Sequence, residues 1–424
     1  MSSALNTDRY ELTMLQAALR SGKSERKCVF EVFTRQLPAG RRYGVVAGTG
    51  RVLEAIQNFR FGDEELAYLS ANQVVDSQTL KWLENYRFSG NLSGYQEGEL
   101  YFGHSPILTV EGTFAEAVIL ETVILSILNY DSAVASAAAR MKSVSADRRL
   151  IEMGSRRAHE SAAVAAARAA YIAGFDATSN LAAGSKYGIE TTGTSAHAFT
   201  LLHDNEEQAF SAQLASMGNE TTLLVDTYDV RKAVETAVRL TDGKIRAVRL
   251  DSGDLATSAV EVRKQLDELG ATKTKITVTS DLDEYTIAAL AIAPIDSYGV
   301  GTSLVTGSGF PTAGFVYKLV AHSDNGDWVD VAKTSKLKTN RGGRKFASRL
   351  LESSVAKTEL ISSELQAGRA LQVEMISNGE INTDFVGKAG VQKARNHHRL
   401  AIGELPAGAL RLSKGDAAIA VEFI

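Results

Sequence analysis

Between residues 114 and 320, short β-type runs alternate with helical stretches at near-constant spacing, and this pattern constrains the fold more than any other feature. The β-type runs fall at 150–153, 174–178, 189–193, 222–225, 245–250, 276–279 and 297–300. Helical patterns separate most of them, among them 157–173, 230–240 and 256–269. Repeated β-α units with short connections predict a parallel sheet, doubly wound or closed as a barrel. Seven runs at this spacing favour an (incomplete) α/β barrel.

The flanks lack that rhythm. Residues 1–113 mix elements: a helix over 8–22, with Asp8 and Glu11 in capping-box spacing, a strand over 28–35, and another over 107–112. From residue 321 the alternation stops. A basic, glycine-bearing loop covers 333–345, and the chain ends in a strand-like AAIAVEFI. Three regions are expected, 1–113, 114–320 and 321–424, with the last packing on the first as a smaller α+β layer.

At 424 residues the chain exceeds one ordinary domain and can bury a large core without metal or disulfide staples. Its single cysteine, Cys28, excludes an internal disulfide and points to a reducing compartment. A net charge of -4 gives no sign of a nucleic-acid partner. No basic start followed by an apolar run opens the chain, so no secretory signal is visible. The most apolar helical stretch, 115–130, carries Glu116 and Glu121 and reads as a buried core helix rather than a membrane span. A cytoplasmic location is expected.

Nearly every β-run in the middle region ends in polar or glycine residues: EMGSRRAH (152–159), DATSN (176–180), GTSAH (193–197), VDTYD (225–229), RLDSGD (249–254), SDLDE (280–284) and GVGTSLVTG (299–307). In parallel β-α folds the loops at the carboxyl ends of the strands converge on one face, where active sites form. Each cluster alone has a plainer explanation. Asp226 and Asp281 precede helices and would serve as N-caps, His197 as a structural histidine, Arg156 and Arg157 as a solvated helix start, and the glycines as loop punctuation. Together they form a coherent chemistry. GVGTSL suits a phosphate cradle, with Thr302 and Ser303 adding hydroxyls. Arg156 and Arg249 can hold carboxylate or phosphate, while Asp226, Asp251 and Asp281 can bind ribose hydroxyls or position Mg2+. A phosphorylated sugar with a metal is the implied ligand. The absence of a G-x-x-x-x-G-K-[S/T] loop excludes a P-loop NTPase.

These segments, with TDRYELTM (7–14) before them and GFVYKLV (314–320) after, resemble in sequence and order those of the nicotinate phosphoribosyltransferase family. The resemblance runs almost end to end. It implies a type II phosphoribosyltransferase, with an α/β barrel flanked by an α+β domain built from both terminal regions, working as a homodimer with shared sites. It implies nicotinate, phosphoribosyl diphosphate and ATP as substrates, with Mg2+, and nicotinate mononucleotide, diphosphate, ADP and phosphate as products. By this similarity His197 accepts a phosphoryl group from ATP, supported by Asp226, and Tyr10 stacks on the pyridine ring, reaching in from the partner subunit. Arg249 and Arg156 hold nicotinate and neighbouring phosphates, Asp251 and Asp281 are ribose or metal positions, and Gly301 and Thr302 bind the 5′-phosphate. Thr194, Ser252 and Ser280, in the same motifs, complete the expected substrate contacts. The nicotinamide enzymes place an aspartate where Asn180 stands, and Asn180 can donate to a carboxylate that an aspartate would repel. The alternatives are a nicotinamide or quinolinate enzyme, or a silent ligand-binding paralogue. Two positions depart from the family pattern. Gly342–Gly343 replaces Pro-Gly before Arg344–Lys345, which puts a substrate contact by Lys345 in doubt. Met153 stands where the nicotinamide relatives have an aromatic.

Overall fold

The computed structural model describes residues 2–333 and 341–424; positions 334–340 of the expected basic loop lie outside the described residues. Two compact units form, one from Met1–Ser136 with Phe310–Ile424, the other from Ala137–Gly309. The second is shorter than the 114–320 region of the sequence. Ala115, residues 117–120, Val123, Ile124 and Leu128 are buried in the first unit's core, and Phe315–Asp324 forms a strand of its main sheet.

In the first unit a seven-stranded sheet runs Asp327–Asp330, Phe315–Asp324, Lys27–Thr34, Leu108–Thr113, Asn91–Tyr95, Gln372–Ser377 and Glu380–Ile381 in spatial order. Its neighbours pair antiparallel, Phe30 lying opposite Leu319 on one side and Val110 on the other. A four-stranded sheet includes the chain end, where only Ala420–Phe423 of AAIAVEFI is extended. The helix expected from 8 is Arg9–Ser21, closed by Gly22 in the left-handed conformation (φ 71°). Its predicted capping box does not form, because Asp8 makes no side-chain cap. Glu11 turns inward instead, fully buried, to accept from the Thr122 N–H at 2.9 Å and from the hydroxyls of Thr7 and Thr122.

The apolar stretch expected as one helix over 115–130 is two. Phe114–Val118 starts on a capping box of Thr113 and Glu116, and Glu121–Val144 follows as a 24-residue helix. By length and composition the latter is apolar enough to cross a membrane, but 61% of an 18-residue apolar segment within it is buried inside the protein, as in a core helix.

The first unit also buries a charge network. Arg349, 1% exposed, lies between Glu99 (2.6 Å) and Glu359 (2.9 Å). Arg369 and His397 add further contacts to Glu99, and the Tyr95 hydroxyl donates to Glu359 at 2.7 Å. Removing the central cation leaves the buried Glu359 with hydroxyl donors but no counter-charge and takes one of three side-chain partners from Glu99, so Arg349→Ala should lower stability by about 3–5 kcal/mol. Urea unfolding followed by tyrosine and tryptophan fluorescence measures this, and a loss under ~1 kcal/mol would show that water reaches the pair.

The second unit carries the predicted parallel sheet. Its strands are β1 (Arg149–Glu152), β2 (Ala177–Thr178), β3 (Thr222–Leu224), β4 (Ala247–Leu250), β5 (Lys275–Thr279) and β6 (Ser297–Val300). They lie in the order β2-β1-β6-β5-β4-β3, every pair parallel. That is the cyclic order of a barrel left open between β2 and β3. The expected strand over 189–193 supplies only a bridge between Thr191 and Thr178. This polar run finds a strand partner on one side alone, so no ladder grows from it. Helices α1 (Glu160–Ile172), α2 (Leu181–Tyr187), α3 (His197–Leu202), α4 (Glu206–Met217), α5 (Val230–Thr241), α6 (Leu255–Glu268) and α7 (Glu284–Ala289) fill the crossovers. In α5 the buried residues Ala233, Val234, Ala237, Val238 and Thr241 recur at three- and four-residue spacing, placing one face on the sheet. Arg156 and Arg157 belong to a 3-10 turn, Ser155–Arg157, ahead of α1.

Candidate active site

The carboxyl ends of the six strands gather the polar clusters of the second unit. Capping is done by residues other than the two aspartates first suspected of it. Asp229 accepts from the Lys232 N–H to start α5, Asp283 from Thr286 to start α7, and Asp254 from Thr257 to start α6. Asp226 and Asp281 are therefore left for other work.

Arg249 organises the centre. Its Nε donates to Thr279 Oγ1 (2.9 Å), Nη1 to Thr194 Oγ1 (2.8 Å) and the Ser195 carbonyl (3.3 Å), and Nη2 to Asp251 Oδ1 (2.8 Å). Thr279 also donates to Asp251. Burial pushes the Asp251 carboxyl up, but the Thr279 hydroxyl and the Arg249 guanidinium outweigh it and hold the group below the usual range. The side chain of Asp226 is 4% exposed; its Oδ2 accepts from the Asp251 N–H (2.8 Å) and Ser252 Oγ (2.7 Å). Its Oδ1 accepts no hydrogen bond from the described residues.

His197 opens α3 beside this cluster. Its Nε2 lies 3.7 Å from Asp251 Oδ2 and 3.9 Å from Asp226 Oδ1, too long for hydrogen bonds but close enough for both carboxylates to face that nitrogen. Nδ1 is 3.1 Å from Thr227 Oγ1. The carboxylate of Asp226 beside this ring is thus accompanied by that of Asp251.

A cleft of about 240 Å3 adjoins the cluster, lined by Met153, Arg156, Arg157, Arg249, Asp251, Thr279, Ser280, Asp281, Gly299, Gly301 and Thr302. The two glycines of the expected phosphate cradle do different jobs. A Cβ on Gly299 would meet Thr279 Cγ2 at 2.6 Å and Met153 Sδ at 2.7 Å, so this position is glycine for packing. At Gly301 the nearest atom is 3.5 Å away, which leaves its backbone open to a ligand. The helix behind it, Thr302–Val305, has four residues, so backbone N–H and hydroxyl groups rather than a helix dipole would hold an anion here.

Asn180 caps α2 through Oδ1, accepting from the Ala183 N–H at 2.9 Å, and its Nδ2 donates to Ser155 Oγ at 2.9 Å. Tyr10 belongs to the first unit, where it is 46% exposed. Burial, then Glu121, Glu11 and Asp8, push its phenol up to about 12. Lys345 contacts Glu31 at 3.1 Å and is nearly buried in the first unit. Among the described residues no group of three or more His, Cys, Asp or Glu side chains is disposed to hold a metal ion. Asp251 and Asp281, with the hydroxyls of Thr279 and Ser280, offer a hard-oxygen surface on which Mg2+ would bind only with ligands added by substrate phosphates.

The motif reading gave no role to Thr279, which joins Arg249 to Asp251, or to Ser155. A threonine at the end of a β-run is too common to single out. Glu206 was also unmarked. Burial, then Asp229 and Asp226, push its carboxyl up to about 7. A native pKa above the unfolded one means stability is undiminished at low pH and falls as pH rises towards 7. Glu206→Gln, which cannot ionise, should therefore lose less melting temperature than the wild type between about pH 5 and pH 8. Equal losses would show that Glu206 titrates normally.

Two family models match the chain: the nicotinate phosphoribosyltransferase N-terminal domain over residues 5–129 and the nicotinate phosphoribosyltransferase family over 148–358. The chain is 51% identical to a nicotinate phosphoribosyltransferase of Mycobacterium tuberculosis, covering 100% of this chain and 95% of that one. It is 41% identical to one of Bacillus subtilis, over 83% and 74% of the two chains. The crystal structure of human nicotinic acid phosphoribosyltransferase superposes with a TM-score of 0.84 at 24% identity, over 98% of each chain, which bears on the fold. With both models matched in order and about half of all positions shared with a relative along its whole length, the chain belongs to the nicotinate phosphoribosyltransferase family.

Proposed function

We propose that the chain joins nicotinate to phosphoribosyl diphosphate, giving nicotinate mononucleotide and diphosphate, and that ATP hydrolysis through a phosphohistidine at His197 is coupled to the transfer. The observation that carries this reading is the placing of one imidazole against two carboxylates, Asp251 bonded to the arginine that lines an anion-suited cleft and Asp226 bonded to the Asp251 N–H.

Electrostatics assign the two ring nitrogens. Asp226 and Asp251 both face Nε2, so the proton belongs there, and an incoming phosphate would be repelled on that side. Among the described residues Nδ1 meets the Thr227 hydroxyl, and it carries the lone pair. Its attack forms the Nδ1–P bond as the bond from the γ-phosphorus to the bridging oxygen breaks and ADP leaves. The imidazolium so formed is balanced by the two carboxylates, and water later releases phosphate. Coupling follows if the phosphorylated form binds the sugar diphosphate more tightly.

In the transfer step the anomeric carbon gains positive charge as diphosphate departs, and the pyridine nitrogen attacks it. Arg156 and Arg157 face the departing anion, Gly301 and Thr302 the 5′-phosphate, and Asp281 the ribose hydroxyls. Mg2+, entering with the substrate, would offset the charge of the leaving diphosphate. Asn180 and Ser155 receive the nicotinate carboxylate, and Tyr10 of a second copy stacks on the ring. The reading includes a cytoplasmic location and a homodimer, and sedimentation checks the dimer.

An assay of nicotinate, nicotinamide and quinolinate, each with and without ATP, tests the whole. Nicotinate alone should give nucleotide efficiently, with ATP hydrolysis rising in parallel. Asn180→Asp should keep the fold, since aspartate caps a helix as asparagine does, and should shift preference towards nicotinamide by about 10-fold or more through carboxylate repulsion. An unchanged ratio of the two kcat/KM values would place selectivity elsewhere.

A further inference from the structure

Beneath the cleft lies a carboxyl group that this mechanism leaves unused. Glu152, the last residue of β1, is fully buried. Its Oε1 accepts from the Gly154 N–H at 2.5 Å and its Oε2 from Thr178 Oγ1 at 2.5 Å. Thr178 Oγ1 accepts in turn from the Asn180 N–H at 2.9 Å, and the Glu152 carbonyl accepts from the Ser179 N–H at 2.8 Å. One side chain therefore ties the loop after β1 to the loop after β2. Those loops carry Ser155 and Asn180, which meet at 2.9 Å beside the cleft-lining Arg156. The loop has little room to move otherwise, because a Cβ on Gly154 would lie 2.3 Å from Val305 Cγ1.

We propose that Glu152 is a positioning residue for pyridine recognition: through the Gly154 N–H and the Thr178 hydroxyl it fixes the Ser155–Asn180 pair that receives the ring's acidic substituent. The proposal rests on the reading of that pair given above. Both of its partners are donors, so the site requires two acceptors. The Thr178 hydroxyl has one proton, and giving it to Glu152 leaves its lone pairs for the Asn180 N–H. A glutamine cannot replace this. Its NH2 would face either the Gly154 N–H, donor against donor, or the Thr178 hydroxyl, which would then have to turn its proton away. Burial also pushes the Glu152 carboxyl up, a cost that purely apolar packing of the two loops would avoid.

The test uses the full chain carrying Glu152→Gln, Thr178→Val or Thr178→Ser. The first two should raise KM for nicotinate by ~10-fold and lower the nicotinate-to-nicotinamide preference, each leaving a donor or acceptor mismatched. KM for phosphoribosyl diphosphate and acid-labile labelling by ATP should stay as in the wild type, and Thr178→Ser should rescue. A parallel fall in kcat, labelling and melting temperature with unchanged preference would reduce Glu152 to a structural role. Should Glu152→Gln fail to fold, Thr178→Val and Thr178→Ser decide by the same readouts. A wild type that does not prefer nicotinate would refute the underlying reading instead, whatever the variants do.

Discussion

Incubated with γ-labelled ATP and Mg2+, the wild type should acquire acid-labile phosphate and His197→Ala none. The effect is all or nothing because no other described imidazole in the second unit can stand in. His203 has Nδ1 2.8 Å from the Phe199 carbonyl and its ring against that phenyl, and His159 is an exposed helix cap. Neither has a pair of carboxylates behind it. Transfer itself should survive in the alanine variant at high phosphoribosyl diphosphate, since the imidazole takes no part in the attack on the anomeric carbon. KM for that substrate should rise and ATP should no longer lower it. Asp226→Asn removes one of the two charges facing Nε2 and should slow labelling by about 100-fold, the usual scale for a partner that holds a proton during transfer. Label that persists on His197→Ala would move the phosphoryl acceptor elsewhere.

The parallel sheet was legible because strands buried on both faces leave continuous apolar runs, such as Leu223 to Val225, bounded by polar residues. The strand expected over 189–193 failed for a reason local pattern cannot carry, since pairing depends on a neighbour and only Thr178 is available. The same holds for Glu11. Its spacing from Asp8 predicts a local cap, and the tertiary contact with Thr122, 111 residues away, overrides it. Motif order brought out Arg249, Asp251, Asp226 and His197, which the structure brings together. It did not reveal that Asp229 and Asp283 do the capping, which is what frees Asp226 and Asp281. Thr279 and Glu152 escaped notice because their role is to orient other groups, and an orienting residue has no signature of its own.

Arg249→Lys should cost about 100- to 1000-fold in kcat/KM for nucleotide formation, the scale set by removing a preorganised donor. The reason is geometric. One planar guanidinium serves Thr279, Thr194 and Asp251 from three separate nitrogens, thereby joining the loops after β4 and β5 to the GTSAH segment. An ammonium is a single point with tetrahedral donors and cannot reach all three. Asp251 would keep its hydrogen bond from Thr279 but lose the one from the guanidinium, so its carboxyl would rise towards the ordinary range and swing more freely beside His197. The variant should therefore impair both half-reactions, labelling by ATP and transfer to nicotinate, whereas His197→Ala impairs one. Rapid-quench labelling and steady-state transfer, measured on the same preparation, separate the cases. If Arg249→Lys left labelling intact and raised only KM for nicotinate, the guanidinium would be a substrate clamp and not the link between the two chemistries.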